Sequence, residues 1–274
     1  MRIGVIGLGA MGLGIAQGLA QAGHEVRATD AGSEARATAP MRLAVAFGVR
    51  VAKGAMTAVA RDSILARVAV VERPEDIAPA DIVIEAVAET LAVKRAVFAR
   101  IEPHLAPGAV LATNTSSLSV AAIAEGLMRG ERVVGLHFFN PATAMNLVEL
   151  VAHPGSAPDA LALARSLAEG AGKTVIDCAD RPGFVVNRCA RPYYGEALAM
   201  LEGGRGAAEI DAAMMAAGYR LGPFALIDLV GADINLAATR SLSAAMGGHP
   251  RYHVFAALRD KVGQGDLGRK SGRG

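Results

Sequence analysis

The tightest constraint on this chain lies at its start, where residues 2–14 read RIGVIGLGAMGLG. An apolar run of strand character ends in Gly7-x-Gly9-x-x-Gly12, and helical spacing follows at once. Between a strand and a helix, each glycine of this spacing has a mechanical reason: Gly7 for a tight turn, Gly9 for backbone approach to a pyrophosphate, Gly12 for close packing of helix on strand. The phosphates would lie at the helix N-terminus, where free N–H groups and the macrodipole favour negative charge. The next apolar run, EVRATD, ends in Asp30. An acid there can accept both ribose hydroxyls of NAD and repels the 2′-phosphate of NADP.

Five further strand candidates follow or flank helical spacing: RVAVV, DIVIEAV, AVLATN, RVVGLHF and, after a loop, NLVELVAH; KTVIDCA completes the set beyond the helix PDALALARSLAEGAG. Strand and helix in alternation specify a parallel sheet with helices on both faces. After Pro182-Gly183 nearly everything reads as helix, including FVVNRCARPYYGEALAMLEGG and GADINLAATRSLSAAMGG. The expected architecture is α/β: a Rossmann-type, doubly wound parallel sheet over residues 1–182, followed by a smaller all-helical domain over 183–274.

Composition excludes several classes. With 52% hydrophobic and 20% charged residues the chain can bury a sizeable core, which rules out a disordered protein. A net charge of +2 with scattered Lys and Arg, and 4% aromatic residues, supply neither a basic stripe nor stacking platforms for nucleic acid. The apolar N-terminus is too rich in glycine for a membrane helix, and His24 and Glu25 follow it without a cleavage pattern. Two cysteines, Cys178 and Cys189, are too few for a disulfide framework and suggest a reduced, cytoplasmic setting. His249 and His253 straddle Pro250 with no acid beside them, so no metal site is expected.

A nucleotide fold does not name a reaction. Four polar residues at the ends of apolar strands or the start of a helix are the candidates: Ser116 in ATNTSSLS, His137 in GLHFFNP, Glu149 in LVELV and Asn187 in PGFVVNR. In an open parallel sheet ligands bind beyond the carboxyl ends of the strands, where AVLATN and RVVGLH both stop. Glu149 lies inside an apolar strand, and a buried carboxylate needs a partner. His137 is the obvious one; the pair would fix the imidazole tautomer and suit a general base. Taken singly, each has an ordinary explanation: Ser116 as an N-cap before LSVAAIAEGL, Glu149 on an exposed strand face, Asn187 as a surface residue of its helix. A hydrolase triad of Ser, His and Glu lacks the G-x-S-x-G elbow and leaves the glycine loop unexplained.

The sequence resembles the short-chain L-3-hydroxyacyl-CoA dehydrogenases, including the bacterial 3-hydroxybutyryl-CoA and 3-hydroxyadipyl-CoA enzymes. NTSSL, GLHFFNP, LVEL, PGFVVNR, GPFALIDLVG and LGRKSGRG carry the likeness, in the family's order and over nearly the whole chain. The resemblance implies an oxidoreductase of fatty acid metabolism that uses NAD and acts on a coenzyme A thioester. His137 is then the catalytic base, Glu149 its partner, and Ser116 and Asn187 hold the substrate and the histidine. Glu89, Lys94, Asn140 and Lys270 match positions that contact NAD in relatives. Lys53, in VAKGAM, falls where relatives place basic residues near the CoA 3′-phosphate.

Departures from the family pattern are specific. GLGAMG stands where relatives have GAGTMG, and looks more like the 3-hydroxyisobutyrate dehydrogenase branch. Ala55 and Asn146 replace lysines on the expected substrate side. Relatives continue past GRG with an aromatic tail, whereas this chain stops at Gly274, as a truncated or a naturally short member would. The lost lysines keep open a dehydrogenase of free 3-hydroxy acids; a non-catalytic NAD-binding protein is disfavoured by the presence of His137 and Glu149. The apolar stretch GPFALIDLVG suggests a homodimer interface, and the helical domain is expected to cap the cleft with Asn187.

Overall fold

The computed structural model describes residues 1–274, which divide into two compact units, Met1–Arg181 and Pro182–Gly274. In the first unit the elements run β1 (Arg2–Ile6), α1 (Ala10–Gln21), β2 (Glu25–Thr29), α2 (Ser33–Ala52), α3 (Ala58–Leu65), β3 (Val68–Val70), β4 (Ile82–Glu85), α4 (Leu91–Ile101), β5 (Val110–Thr113), α5 (Val120–Ala124), β6 (Val133–Phe138), β7 (Leu147–Ala152), α6 (Pro158–Gly170) and β8 (Thr174–Ala179). The eight strands form one sheet in the order β3-β2-β1-β4-β5-β6-β7-β8. The order reverses between β1 and β4, which opens a crevice at their carboxyl ends, the switch point where doubly wound sheets bind ligands.

Apolar side chains bury the sheet on both faces, as a parallel sheet requires. Ile3, Val5, Ile82, Ile84, Val110 and Ala112 pack with Ile15 and Leu19 of α1, Leu43 and Phe47 of α2, and Ala164 and Leu167 of α6. Residues of opposite parity, such as Val83, Leu111 and Val133, are equally buried, as are Phe98 of α4 and Ile123 of α5. Gly135 of β6 belongs to this second set: a Cβ there would lie 2.7 Å from Val151 Cβ and 3.0 Å from Val120 Cγ2, so its lack of a side chain lets α5 sit close to the strand.

One strand departs from the parallel expectation. β7 runs antiparallel to β6, whereas β7 and β8 pair in parallel. The connection over residues 139–146 explains this, since a parallel return needs a crossover of a dozen or more residues and a short turn permits only an antiparallel one. The same turn contains the Asn140-Pro141 peptide, which is cis. The long helix α2 and its neighbour α3 between β2 and β3 are additions to the elements legible from strand patterning.

The second unit is helical: α7 (Val186–Glu202), α8 (Ala207–Ala216), α9 (Pro223–Val230), α10 (Ala232–Ala245) and α11 (Ala256–Gly263). Its core joins Tyr194 and Leu198 of α7, Ile227 of α9, Ala232 and Leu236 of α10 and Leu258 of α11. Asp211 of α8 accepts hydrogen bonds from the free Phe224 and Ala225 N–H groups at the start of α9, both at 2.9 Å.

The glycine loop shows which positions the fold itself demands. A Cβ on Gly12 would lie 1.8 Å from Gly7 O, and Gly7, at φ +101°, would meet Ala86 O at 2.5 Å; around Gly9 nothing lies within 4 Å. Gly12→Ala is therefore expected to destabilise the protein by about 1–3 kcal/mol or more, the scale of overpacking, while Gly9→Ala lowers Tm far less. Thermal melts of both variants check this; equal losses would mean that the close approach of α1 to β1 is not what Gly12 provides.

Candidate active site

Parallel register aligns the strand ends that build the crevice. Ile6 pairs with Thr29 and with Glu85, Glu85 with Thr113, and Thr113 with Gly135. Residues just past these positions emerge at one edge of the sheet: Gly7, Asp30, Ala86, Asn114 and, two residues beyond Gly135, His137.

Gly9 is the N-cap of α1 with open space around it, and Gly7 and Gly12 hold the turn beneath it. Asp30 is tied into the same loop. Its Oδ2 accepts from Leu8 N at 2.7 Å and its Oδ1 from Gly32 N at 2.8 Å, which orients the carboxylate at the end of β2. An open glycine over a helix N-terminus, flanked by an oriented acid, fits a dinucleotide pyrophosphate and ribose.

His137 and Glu149 stand directly opposite each other in the β6–β7 pair. His137 Nδ1 donates to Glu149 Oε2 at 2.7 Å, and Glu149 is 0% exposed. A carboxylate only accepts, so the hydrogen resides on Nδ1 and Nε2 is the basic nitrogen of the neutral ring. Cys178 of β8, also buried, directs its thiol at Glu149 Oε1 at 3.8 Å. The Phe139 ring packs on the imidazole with centroids 4.5 Å apart.

Ser116 lies in the loop between β5 and α5. It is not the cap of that helix: Ser119 is, accepting from Ala122 N. The loop is gripped at both ends. Glu89 Oε1 accepts from Thr115 Oγ at 2.6 Å, Ser116 N at 2.9 Å and Ser117 N at 3.1 Å. Asp180, at the end of β8, accepts from Ser119 Oγ and from the N–H groups of Val120 and Ala121.

Lys94 is 1% exposed, a buried ammonium on α4. Its Nζ donates to both oxygens of Glu85, at 3.0 and 2.9 Å, and lies 3.2 Å from Glu89 Oε2. Thr113 Oγ donates to Glu85 as well. Burial raises the Glu85 pKa, and Lys94 and Thr113 only partly offset it. Burial also works against the Glu89 carboxylate, but the bond from Thr115, the charge of Lys94 and the bonds from the serine loop outweigh it and hold its pKa below the usual range.

Neither Glu85 nor Asp180 stood among the expected site residues. Glu85 carries the signal that exposed Glu149, an acid inside an apolar strand, here DIVIEAV. Lys53 is the exposed C-cap of α2, next to exposed Ala55, and Asn140 and Asn146 are exposed in the β6–β7 turn. In the second unit Asn187 begins α7, half-buried, and Lys270 pairs with Asp233 at 2.5 Å beside Gly231.

A glycine cradle after β1 and an imidazole on β6 locked to a buried acid, at one edge of the same sheet, are the working parts of dinucleotide-dependent dehydrogenases. Residues 2–181 match the model for the 3-hydroxyacyl-CoA dehydrogenase NAD binding domain, and residues 183–274 the model for the C-terminal domain of the same enzymes. The chain is 42% identical to the 3-hydroxyadipyl-CoA dehydrogenase of Escherichia coli over 99% of its length, and spans 58% of that longer protein. It is 38% identical to a probable 3-hydroxybutyryl-CoA dehydrogenase of Bacillus subtilis, covering all of this chain and 96% of the relative. The crystal structure of (S)-3-hydroxybutyryl-CoA dehydrogenase from Ralstonia eutropha superposes with a TM-score of 0.94 at 35% identity, over 100% of this chain and 98% of that one. The chain belongs to the 3-hydroxyacyl-CoA dehydrogenase family of NAD-dependent oxidoreductases.

The Glu89 network makes a pH-dependent statement. A carboxylate whose pKa is lower in the folded state stabilises the fold above its unfolded pKa, and that contribution is lost as pH falls through the folded value. The Tm gap between wild type and Glu89→Gln is therefore expected to be widest near neutral pH and to narrow in acid. Melts across that range check it; a gap that does not change with pH would mean the charge of Glu89 is not what secures the serine loop.

Proposed function

We propose that this protein transfers a hydride between NAD and C3 of a 3-hydroxyacyl-CoA, oxidising the alcohol or, in reverse, reducing the 3-ketoacyl-CoA. The observation that carries the reading is the 2.7 Å bond from His137 Nδ1 to the fully buried Glu149. It fixes the ring tautomer, so that Nε2 is the ring nitrogen that takes the proton of the substrate's 3-hydroxyl. Glu149 stabilises the imidazolium that forms, in a setting where water cannot screen it. Bound NAD supplies the nicotinamide carbon that accepts the hydride.

The remaining site residues take supporting roles. Gly7, Gly9 and Gly12 form the pyrophosphate cradle, and Asp30 takes the adenosine ribose, which favours NAD over NADP. Ser116 is assigned the substrate hydroxyl, on a loop that Glu89 and, through it, Lys94 hold in place. Asn140 and Lys270 are assigned to the cofactor, and Asn187 to the thioester side of the substrate. Lys53 is assigned the 3′-phosphate of CoA. Exposed Leu229, Val230 and Ile234 in and after α9 support a homodimer. No helix is long and apolar enough to cross a membrane, and the two cysteines are free thiols, which supports a cytoplasmic placement.

Variant kinetics and a substrate comparison test the proposal. His137→Gln is expected to lower kcat by at least about 10²-fold, the usual scale for losing a general base, with NADH binding retained. Glu149→Gln keeps the shape but removes the charge opposite the imidazolium, and should also lower kcat while sparing NADH affinity. Near-full turnover in His137→Gln would make the histidine structural. Lys53→Ala is expected to raise KM for the acyl-CoA and leave that for NADH unchanged; a matched free 3-hydroxy acid that is oxidised as efficiently as its CoA thioester would favour the free-acid reading.

A further inference from the structure

The edge strand β8 sends one side chain fully inward. Thr174 to Asp177 are exposed or half-buried and Ala179 is exposed, whereas Cys178 is buried, at 5% exposure. Register explains where it points. Glu149 pairs with Ile176 and Val151 with Cys178, so the period of two puts Glu149, Val151, Ile176 and Cys178 on one face of the sheet. His137, directly opposite Glu149 on β6, shares that face. Three strands thus bring an imidazole, a carboxylate and a thiol together in a row.

Glu149 turns its two oxygens to different neighbours. Oε2 meets His137 Nδ1 at 2.7 Å, and Oε1 lies 3.8 Å from the Cys178 sulfur. A carboxylate with no exposure keeps its charge only where donors face it. A thiolate at Cys178 would set two anions side by side, so the group that faces Glu149 is the thiol, a weak donor. The sulfur is also 3.8 Å from Ile176 O, but a bond to an ionised acceptor is about twice as strong as one to a neutral acceptor. The carboxylate therefore draws the proton. Nearby ionisable groups are engaged elsewhere. Asp177 turns to the opposite face and pairs with Arg165 of α6, and Asp180 binds Ser119 and the first N–H groups of α5. The α5 helix, which packs on the Glu149 face through Val120, carries no ionisable side chain.

A hydrogen bond to a carboxylate favours its charged form. Here that form is a carboxylate beside a neutral ring, the state of the pair that can receive a proton. Two groups in such contact titrate as a unit, and without the thiol the unit would hold its extra proton more tightly. We propose that Cys178 is a positioning residue of this dehydrogenase: its thiol donates to Glu149 Oε1, holds the carboxylate against His137 and keeps the pair ready to accept the substrate's proton. This rests on the hydride-transfer reading above and adds a third member to the pair, from the next strand.

The test is the pH profile of kcat for NAD-linked oxidation of 3-hydroxyhexanoyl-CoA by the purified protein and three variants. Ala and Ser have nearly the same volume and differ by the donor, while Val refills the space without one. In Cys178→Ala and Cys178→Val the acidic limb is expected to move to higher pH by about half a unit, the scale of one weak hydrogen bond to a carboxylate. Cys178→Ser should return the limb to its wild-type position or below it. Ser and Ala variants that shift alike overturn the proposal, because they would show a packing role, and so does a limb that stays in place in both Ala and Val. A second measurement needs no turnover and no change at Cys178. With two cysteines in the chain, Cys189→Ala leaves Cys178 as the one thiol, and its S–H stretching band in the infrared is expected below the frequency of a free thiol. Adding Glu149→Gln should raise that band, since an amide oxygen accepts less strongly. A band at the free-thiol frequency, or one that Glu149→Gln leaves in place, overturns the proposal even if every Cys178 variant fails to fold. Wild type that binds NADH but oxidises no 3-hydroxyacyl-CoA would instead overturn the hydride-transfer reading, and with it the role, though not the bond, assigned to Cys178.

Discussion

Backbone register in the parallel sheet governs everything else in the first unit. Because Ile6, Thr29, Glu85 and Thr113 are held level by their ladders, the segments that follow them leave the sheet at one edge. Each segment then adds one part: the glycine turn after β1, Asp30 after β2, the Glu89 loop after β4 and the serine loop after β5. None of these contributes a continuous surface by itself. The crevice exists because the chain leaves the neighbouring strands β1 and β4 in opposite directions across the sheet, toward β2 and toward β5.

Buried charge is handled in three ways across the chain. The His137–Glu149 pair sets a fully buried acid against an imidazole, 2.7 Å apart. The Glu85–Lys94–Glu89 cluster joins two acids to one ammonium, with hydroxyl and amide donors of Thr113 and the serine loop completing the acids. Through Glu89, the buried ammonium is linked to the loop that carries Ser116. Arg191 of α7, also buried, follows neither pattern: the Thr239 hydroxyl, the Asn235 carbonyl and the Tyr194 ring are partners that satisfy geometry without neutralising charge.

Much of the site could be read from the sequence. The glycine spacing, the acid ending β2, and the apolar strand broken by Glu149 each point to a position the fold then aligns. What could not be read depends on packing between elements distant in sequence. Lys94 in TLAVKRAVFARI has the pattern of an ordinary surface lysine on an amphipathic helix; only the approach of α4 to β4 buries it against Glu85. Arg191 in NRCARPYYGEA is one of several helix charges, and nothing local distinguishes it from exposed Arg188. The reversed direction of β7 was legible in principle from the short 139–146 connection, but apolar composition, which marks strands, carries no information on their direction.

The antiparallel turn between β6 and β7 has a consequence for how the His137–Glu149 pair comes into being. Alternate residues of a strand face opposite sides, so sliding β7 by one place against β6 would turn Glu149 away and set Val148 or Leu150 across from the imidazole. Whether the ring meets an acid is therefore settled by the hydrogen-bond alignment of a short hairpin, before any cofactor or second domain is involved. Chain closure over so few residues is inexpensive in entropy. The dyad is thus a locally encoded unit, and changes elsewhere can retune nucleotide or acyl recognition without rebuilding it.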